Sequence, residues 1–334
     1  MKTKSIAIVL IFLTTISVFS GCQPKHPKIG ILIHSYENER WIKDKDYLVE
    51  NLTKLGAEVL LEVADNDQQK QISQAQDMIN KGAKVLIVVP IDQDEAAKIV
   101  ELAQKAEVKV IAYDRLINGC QLDYYVSTNS VNTGEIQAKY LLSLKPKGNY
   151  ALIGGSKYDN NSSRLFLGQM NIFQPLMESG DVSLSYSEFG EAWTKDDGYR
   201  QAKIITEKYS EGLTGIICGN DNQALGAIMA LKEAGLEGKI LLAGQDAELE
   251  NLRAISDGLQ TCTILKPLQE TALTTAELAV ALAKNKKINQ QFTTESNGKV
   301  LVKSILVNAT VVTSSNIETT VVASGFHTSA EINQ

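Results

Sequence analysis

From Lys28 onward, short unbroken apolar runs alternate with longer stretches whose apolar residues recur three and four apart. The first pattern predicts buried strands and the second amphipathic helices. Strands are expected at Lys28–Ile33, Ala57–Val63, Val85–Val89 and Val108–Ala112. Helices are expected at Glu37–Leu55, from the Asp65-Asn66-Asp67 caps through Asn80, and at Asp94–Lys105, with Gly56 and Gly82 as stops. Val85–Val89 is all Val, Ile and Leu, as a strand covered on both faces of a parallel sheet requires. The pattern then begins again. Strands are expected at Asn149–Ile153, Val182–Ser187, Gly215–Cys218, Lys239–Ala243 and Gln260–Ile264; helices at Ser163–Ser179, broken near Pro175, at Asp197–Tyr209 and at Asn222–Ala234. This predicts an α/β fold of two doubly wound, Rossmann-like parallel-sheet units, with a cleft between the carboxyl ends of their strands.

Composition narrows the possibilities. The 334 residues, 44% hydrophobic, are enough for about two domains. The net charge of -6 is spread along the chain, which argues against nucleic acid or an anionic membrane surface as partner. Lys2 and Lys4 precede an apolar run from Ile6 to Phe19, shorter than the ~20 residues of a spanning helix, so residues 1–21 read as a signal peptide. Phe19-Ser20-Gly21-Cys22 resembles a bacterial lipobox, which makes Cys22 a candidate for lipidation and residues 22–27 a tether; the alternative is cleavage nearby with Cys22 incidental. Cys120, Cys218 and Cys262 are too far apart for a zinc or redox motif, and Cys218 and Cys262 sit in apolar runs as small hydrophobes. The three histidines are scattered, so no metal site is expected. Asp65-Asn66-Asp67 is not a calcium loop, because Lys70 and Gln76 stand where an EF-hand needs Gly and Glu.

The residues that follow the strands carry the chemistry. They are Glu39-Arg40-Trp41, Tyr113-Asp114-Arg115, Gly154-Gly155-Ser156 with Asp159-Asn160-Asn161, then Gly219-Asn220-Asp221, Gly244-Gln245-Asp246 and Leu265-Lys266-Pro267. Carboxylates, amides, guanidinium and ammonium in one set suit a neutral polyol, whose hydroxyls donate and accept; Trp193 or Trp41 could cover the apolar face of a sugar ring. A phosphate site would show glycine loops or cations without the carboxylates. Any single Asp after a strand is more often a helix cap, and Arg40 with Asp44 could be a surface ion pair. Recurrence across both units favours the ligand reading.

With these residues in view the chain resembles the D-xylose-binding proteins of ATP-binding-cassette (ABC) sugar transporters, in the type I periplasmic binding protein family that also includes ribose and galactose binders. The resemblance rests on Glu39–Asp44, Met78–Gly82, Ala112–Asn118, the Gly154 to Asn161 stretch, Gly244–Ala247, Lys266-Pro267 and Gly325-Phe326-His327, in order over nearly the whole chain after Lys28. It implies that Arg40, Arg115, Asp159, Asn161, Asn220, Asp246 and Lys266 hydrogen-bond a monosaccharide, D-xylose first, and that Trp193 stacks on it. Asp114 is expected to touch the ligand or orient Arg115, and Trp41 to pack beneath the first helix. The resemblance also implies three crossings between lobes joined by a hinge, with 28–134 plus 266–297 forming one lobe and 135–265 plus 298–334 the other. It further implies a monomer without cofactor, metal or catalysis, located in the periplasm or cell envelope. Its partner would be an ABC permease or a membrane sensor kinase, and its only membrane attachment the lipid on Cys22. Paired carboxylates leave a glycosidase as rival, and the shared fold leaves a sugar-responsive repressor, whose DNA-binding segment would stand where the signal stands. His34-Ser35 departs from the acidic residues that enteric relatives carry there.

Overall fold

A computed structural model describes residues 26–334. The signal segment and Cys22 lie outside the described residues. The first half runs β1 (Lys28–Ile33), α1 (Arg40–Lys54), β2 (Glu58–Val63), α2 (Gln68–Asn80), β3 (Val85–Val88), α3 (Ala97–Lys105), β4 (Lys109–Tyr113) and β5 (Tyr124–Thr128). There follow α4 (Ser130–Leu144), β6 (Gly148–Ser156), α5 (Asn160–Glu178), β7 (Val182–Gly190), α6 (Lys195–Lys208), β8 (Leu213–Cys218), α7 (Asp221–Glu233), β9 (Leu241–Ala243), α8 (Leu249–Ser256) and β10 (Thr263–Leu265). The chain closes with α9 (Leu268–Ala283), β11 (Thr293–Ser296), β12 (Leu301–Val307), β13 (Thr310–Val312), a π-helical turn at Glu318–Val322 and α10 (Ser329–Ile332).

The strands form two main sheets. The first, in the order β11-β12-β5-β4-β3-β1-β2, is parallel except for the β11 edge; the second, β7-β6-β8-β9, is parallel throughout. β1 shows why a continuous apolar run makes a central strand. Ile29, Ile31 and Ile33 pack on one face with Trp41, Leu48 and Leu52 of α1, while Leu32 enters the opposite cluster with Met78 and Val100. Asp67 caps α2 by accepting from Lys70 N at 2.9 Å, so the acidic triplet serves the helix. Cys218 and Cys262 are buried among apolar side chains, and Cys120 is a buried thiol pushed up to about 11 by its burial.

The chain passes between the sheets three times. After β5, α4 packs on α5 and on β9, β10 and β13, so the first passage is at Asn129 rather than at residue 134. After β10, α9 packs against α1 and against β1, β3, β4 and β5. The last passage lies between Val307 and Thr310, not near Gly298: β12 pairs in parallel with β5 over Lys303↔Tyr124 to Val307↔Thr128, and β13 then pairs with β10. Gly298, at φ 83°, instead turns the β11–β12 hairpin, which Asn297 closes by accepting from Val300 N at 3.0 Å. A second expectation also fails, since α5 is continuous through Pro175. Proline so near the helix end removes one bond, to the exposed Asn171, and its fixed φ is already helical.

Candidate functional site

The carboxyl ends of both sheets meet in one cleft, and helix α1 brings the first cation into it. Arg40 opens this helix and is 3% exposed. Its Nε and Nη2 donate to Asp44 Oδ2 at 3.0 and 2.8 Å, Nη2 also meets Asp114 Oδ1 at 2.9 Å, and Nη1 lies 3.5 Å from Asp246 Oδ1. The Asp44 pair is therefore present, but buried rather than at the surface. Tyr113 donates its hydroxyl to the other Asp44 oxygen. Lys266, following β10, completes a ring of charge at 3.6 Å from Asp114 and 3.2 Å from Asp246. Burial would raise the Asp114 carboxyl, but Arg40, Lys266 and Arg115 outweigh it and hold the group below the usual carboxylate range. Asp44 is pushed upward by burial despite Arg40.

Two of these carboxylates sit on strained backbone. Asp114 has φ 63° and Asp246 φ 102°, left-handed values that non-glycine residues seldom adopt. At Asp114 the conformation is held by three donors to its carbonyl: Tyr125 Oη at 3.0 Å, Ser127 Oγ at 2.7 Å and Asn161 Nδ2 at 3.1 Å. The last reaches across the cleft.

The second lobe answers with residues that cap helices and face the cleft together. Asp159 caps α5 by accepting from Asn161 N at 2.9 Å through Oδ1, while its Oδ2 accepts from Trp193 Nε1 at 3.1 Å. Arg115 Nε stands 2.8 Å from that same Oδ2 but off the line of its N–H, an ion contact rather than an aligned hydrogen bond. Burial raises the Asp159 carboxyl and Arg115 opposes it. Asn220 caps α7 through Gln223 N at 2.9 Å and donates Nδ2 to Trp193 O at 3.1 Å. Cap and cleft residue are thus one side chain in both cases. A glycine near the end of β6 and another just after β8 make room for the indole: a Cβ on Gly155 would sit 2.1 Å from Trp193 ring carbons, and one on Gly219 2.9 Å away.

All nine residues expected at a ligand site, Arg40, Asp114, Arg115, Asp159, Asn161, Trp193, Asn220, Asp246 and Lys266, line one cavity. Asn38, Trp41 and Gln245 join them. Trp41 does more than pack beneath α1. It is buried in the apolar cluster under that helix, and it also lines the cavity, with the guanidinium carbons of Arg40 and Arg115 at 4.2 and 5.4 Å from its ring centroid. Its adjacency to Arg40 was the available signal, as adjacency to Asp246 was for Gln245. The cavity is drawn tight, about 20 Å³, room for a single water, with the charged groups paired to one another. Asp246 Oδ1, Arg115 Nε and Trp41 Nε1 are nevertheless buried without an aligned hydrogen-bond partner. Such a site offers acceptors and donors to a small polar molecule once the lobes part.

His34 is 5% exposed, packs edge-on against Trp41 with centroids 4.5 Å apart, and has Nε2 3.2 Å from Arg115 Nη2. Burial first, then Arg115, holds it well below its ordinary pKa, so the ring is neutral. Accepting from Arg115 at Nε2 leaves the proton on Nδ1, which has no partner. Among the described residues there is no cluster of His, Cys, Asp and Glu that could hold a metal ion, and no helix long and apolar enough to cross a membrane.

Comparison with known proteins gives the same picture over nearly the whole chain. A periplasmic binding protein domain matches residues 29–287. The D-xylose-binding periplasmic protein of Haemophilus influenzae is 37% identical over 332 residues, covering 99% of both chains. That of Escherichia coli is 35% identical over 335 residues, covering 99% of this chain and all of the relative. Among solved structures, an ABC transporter solute-binding protein from Clostridium phytofermentans with bound β-D-glucose superposes with a TM-score of 0.85 at 26% identity, covering 91% of this chain and 99% of the other.

Proposed function

Because the chain belongs to the periplasmic binding protein family, we propose that it is an exported receptor that closes its two lobes on D-xylose and presents the closed form to an ABC sugar permease. The observation that carries this reading is the single cavity lined from both lobes by cations, carboxylates and amides, with Trp193 and Trp41 as aromatic surface. Arg40, Asp114 and Arg115 come from the first lobe; Asp159, Asn161, Trp193, Asn220 and Asp246 come from the second, and Lys266 from the strand end at the hinge. In the sugar complex, hydroxyls take the place of the present ion contacts. Arg40, Arg115 and Lys266 donate, Asp159 and Asp246 accept, Asn161 and Asn220 do both, and Trp193 covers the ring. Closure follows because a sugar touching both lobes makes its full set of contacts only when they are together.

The protein acts without catalysis. Asp114 is held as an anion by its cations, and Glu248, the carboxyl that burial and neighbouring Asp246, Asp221 and Glu39 push up to about 9, lies outside the cavity lining. An acid and a base flanking a scissile bond would both have to reach the sugar. The mature protein is a monomer held to the membrane by lipid on Cys22, and the permease rather than a sensor kinase is its partner.

Calorimetric titration with D-xylose, D-ribose, L-arabinose and D-glucose tests the reading. Binding is expected with D-xylose as the preferred sugar. Preference for a hexose removes the pentose assignment, and silence with all four removes sugar binding.

A further inference from the structure

A second, larger cavity of about 420 Å³ adjoins the first at the mouth of the cleft. The two share Asn38, Arg115 and Trp193 in their linings, so these three side chains are where the cavities adjoin. We propose that this outer cavity is a second subsite, holding a pyranose ring linked glycosidically to the ring in the inner cavity, so that the protein takes a disaccharide such as β-1,4-xylobiose as well as the monosaccharide. The proposal rests on the sugar-binding reading of the inner cavity.

Three observations support it. Two side chains of its lining hold polar atoms that the protein does not satisfy: His34 Nδ1, in a side chain 5% exposed, and Gln68 Nε2 are both buried without a partner, within reach of a ligand once the side chain shifts. A buried donor left unpaired costs on the order of 1–3 kcal/mol, which a ligand oxygen would recover. Next, the cavity offers flat and apolar surface for the faces of a ring, from Tyr158, Ile91 and the side of Trp193. Finally, Glu37, Asp92, Glu95 and Glu191 also line it beside a single lining cation, Arg115. They are acceptors that suit hydroxyls, and with Glu95 and Glu191 paired to Lys98 and Lys157, Glu37 and Asp92 still disfavour an anion. The occupant is therefore a neutral sugar unit and not a uronate or a sugar phosphate. The volume, within the roughly 300–1,000 Å³ of small-molecule sites, accommodates one ring with its bridging waters.

The test is calorimetric titration of the mature protein with D-xylose and with β-1,4-xylobiose, each also run as competitor of the other. Xylobiose presents either of its two units to the inner site. It is expected to bind within about tenfold of xylose and to displace it. Tyr158 is 45% exposed and outside the inner cavity, so Tyr158→Ala should fold normally and keep the affinity for xylose. The same variant should weaken xylobiose about fivefold, the scale of one lost aromatic contact. Xylose binding with no binding or competition by xylobiose overturns the second subsite and leaves the first intact. Equal weakening of both sugars by Tyr158→Ala also overturns it. Failure of both sugars on the unaltered protein overturns the sugar-binding reading and the subsite together.

Discussion

Replacing Arg40 with alanine separates a buried charge ring from a surface pair more sharply than any other single change. Arg40 is the cation in direct contact with both Asp44 and Asp114, and Asp246 is 3.5 Å from it. An exposed helical i,i+4 pair would cost about 0.3–0.5 kcal/mol to break. Here the three carboxylates stay buried after the cation leaves; Lys266 still reaches Asp114 and Asp246, and Tyr113 still reaches Asp44. Removing one partner of such an arrangement costs about 3–5 kcal/mol, because the remaining charge is uncompensated. Arg40→Ala should therefore lower stability by that amount in urea unfolding, and weaken D-xylose by more than about 1.5 kcal/mol in calorimetry, since the sugar then meets acceptors lacking their donor. The pH dependence has a defined sign. In the wild-type protein the depressed Asp114 contributes stability above its unfolded pKa of ~3.9, which is lost only as pH falls through the still lower folded value. Without Arg40 only Lys266 and Arg115 oppose the burial of Asp114, so its folded pKa rises and the stability that the carboxylate adds above pH ~4 shrinks. The gap between the two proteins should thus be narrower at pH 4 than at pH 7. A stability loss under about 1 kcal/mol, or a gap independent of pH, would refute the reasoning and return Arg40 to the status of a surface pair.

Two other substitutions probe the surroundings of the cavity. Gly155→Ala places a methyl group where Trp193 lies, and should cost about 1–3 kcal/mol of stability and weaken D-xylose about tenfold, read by unfolding and calorimetry. Unchanged affinity would show that the indole is no platform for the sugar. Glu248, pushed up to about 9 by burial and by Asp246, Asp221 and Glu39, accepts from Asn222 Nδ2 at 2.8 Å and has its other oxygen unpartnered. With its folded pKa raised, the folded state holds the extra proton, and stability falls as pH rises from ~4.5 through about 9, by at most ~1.4 kcal/mol per pH unit. Glu248→Gln should flatten that decline in urea midpoints taken at pH 5, 7 and 9; parallel curves for the two proteins would count against it.

The fold was legible where a strand is covered on both faces and a glycine ends the next helix. β1, β2 and α2 start and stop within a residue or two of the pattern, because Lys28–Ile33 cannot be buried any other way and Gly56 and Gly82 take left-handed φ of 77° and 88°. Two long helices gave no such signal. α4 buries Ser130, Thr133, Gly134 and Gln137, and α9 buries Thr271, Ala272, Thr275 and Ala276. The α4 face is small at its start because it lies close against α5: a Cβ on Gly134 would strike the Leu165 carbonyl at 2.1 Å, and one on Gly168 the Val131 carbonyl at 2.0 Å. α9 interleaves buried threonines with Leu268, Leu278 and Val280, which blurs its stripe. Hydrophobic periodicity is blind to helices packed through backbone.

The same distinction between contact and hydrophobicity explains what could be read of the site. Strand ends converge in a doubly wound sheet, so polar residues after each of several strands were bound to meet, and the strand-end positions collect eight of the nine that line the cavity, Trp193 coming from the family resemblance. What linear order could not supply was depth. Nothing in Arg40-Trp41-Ile42-Lys43-Asp44 says that the helix begins with its charged pair buried and its Trp both in the core and at the cavity wall; that follows from α1 starting at the mouth of the cleft. Nor could the order reveal that Gly155 serves an indole thirty-eight residues beyond it rather than a phosphate. His34 shows the converse case. Its departure from the acidic residues of enteric relatives was visible in the sequence, but its consequence needed geometry. A neutral ring that accepts from Arg115 and packs edge-on against Trp41 lines the outer cavity and touches two residues of the inner one. Substitution at the rim can thus alter which sugars enter while the charge ring still grips the first.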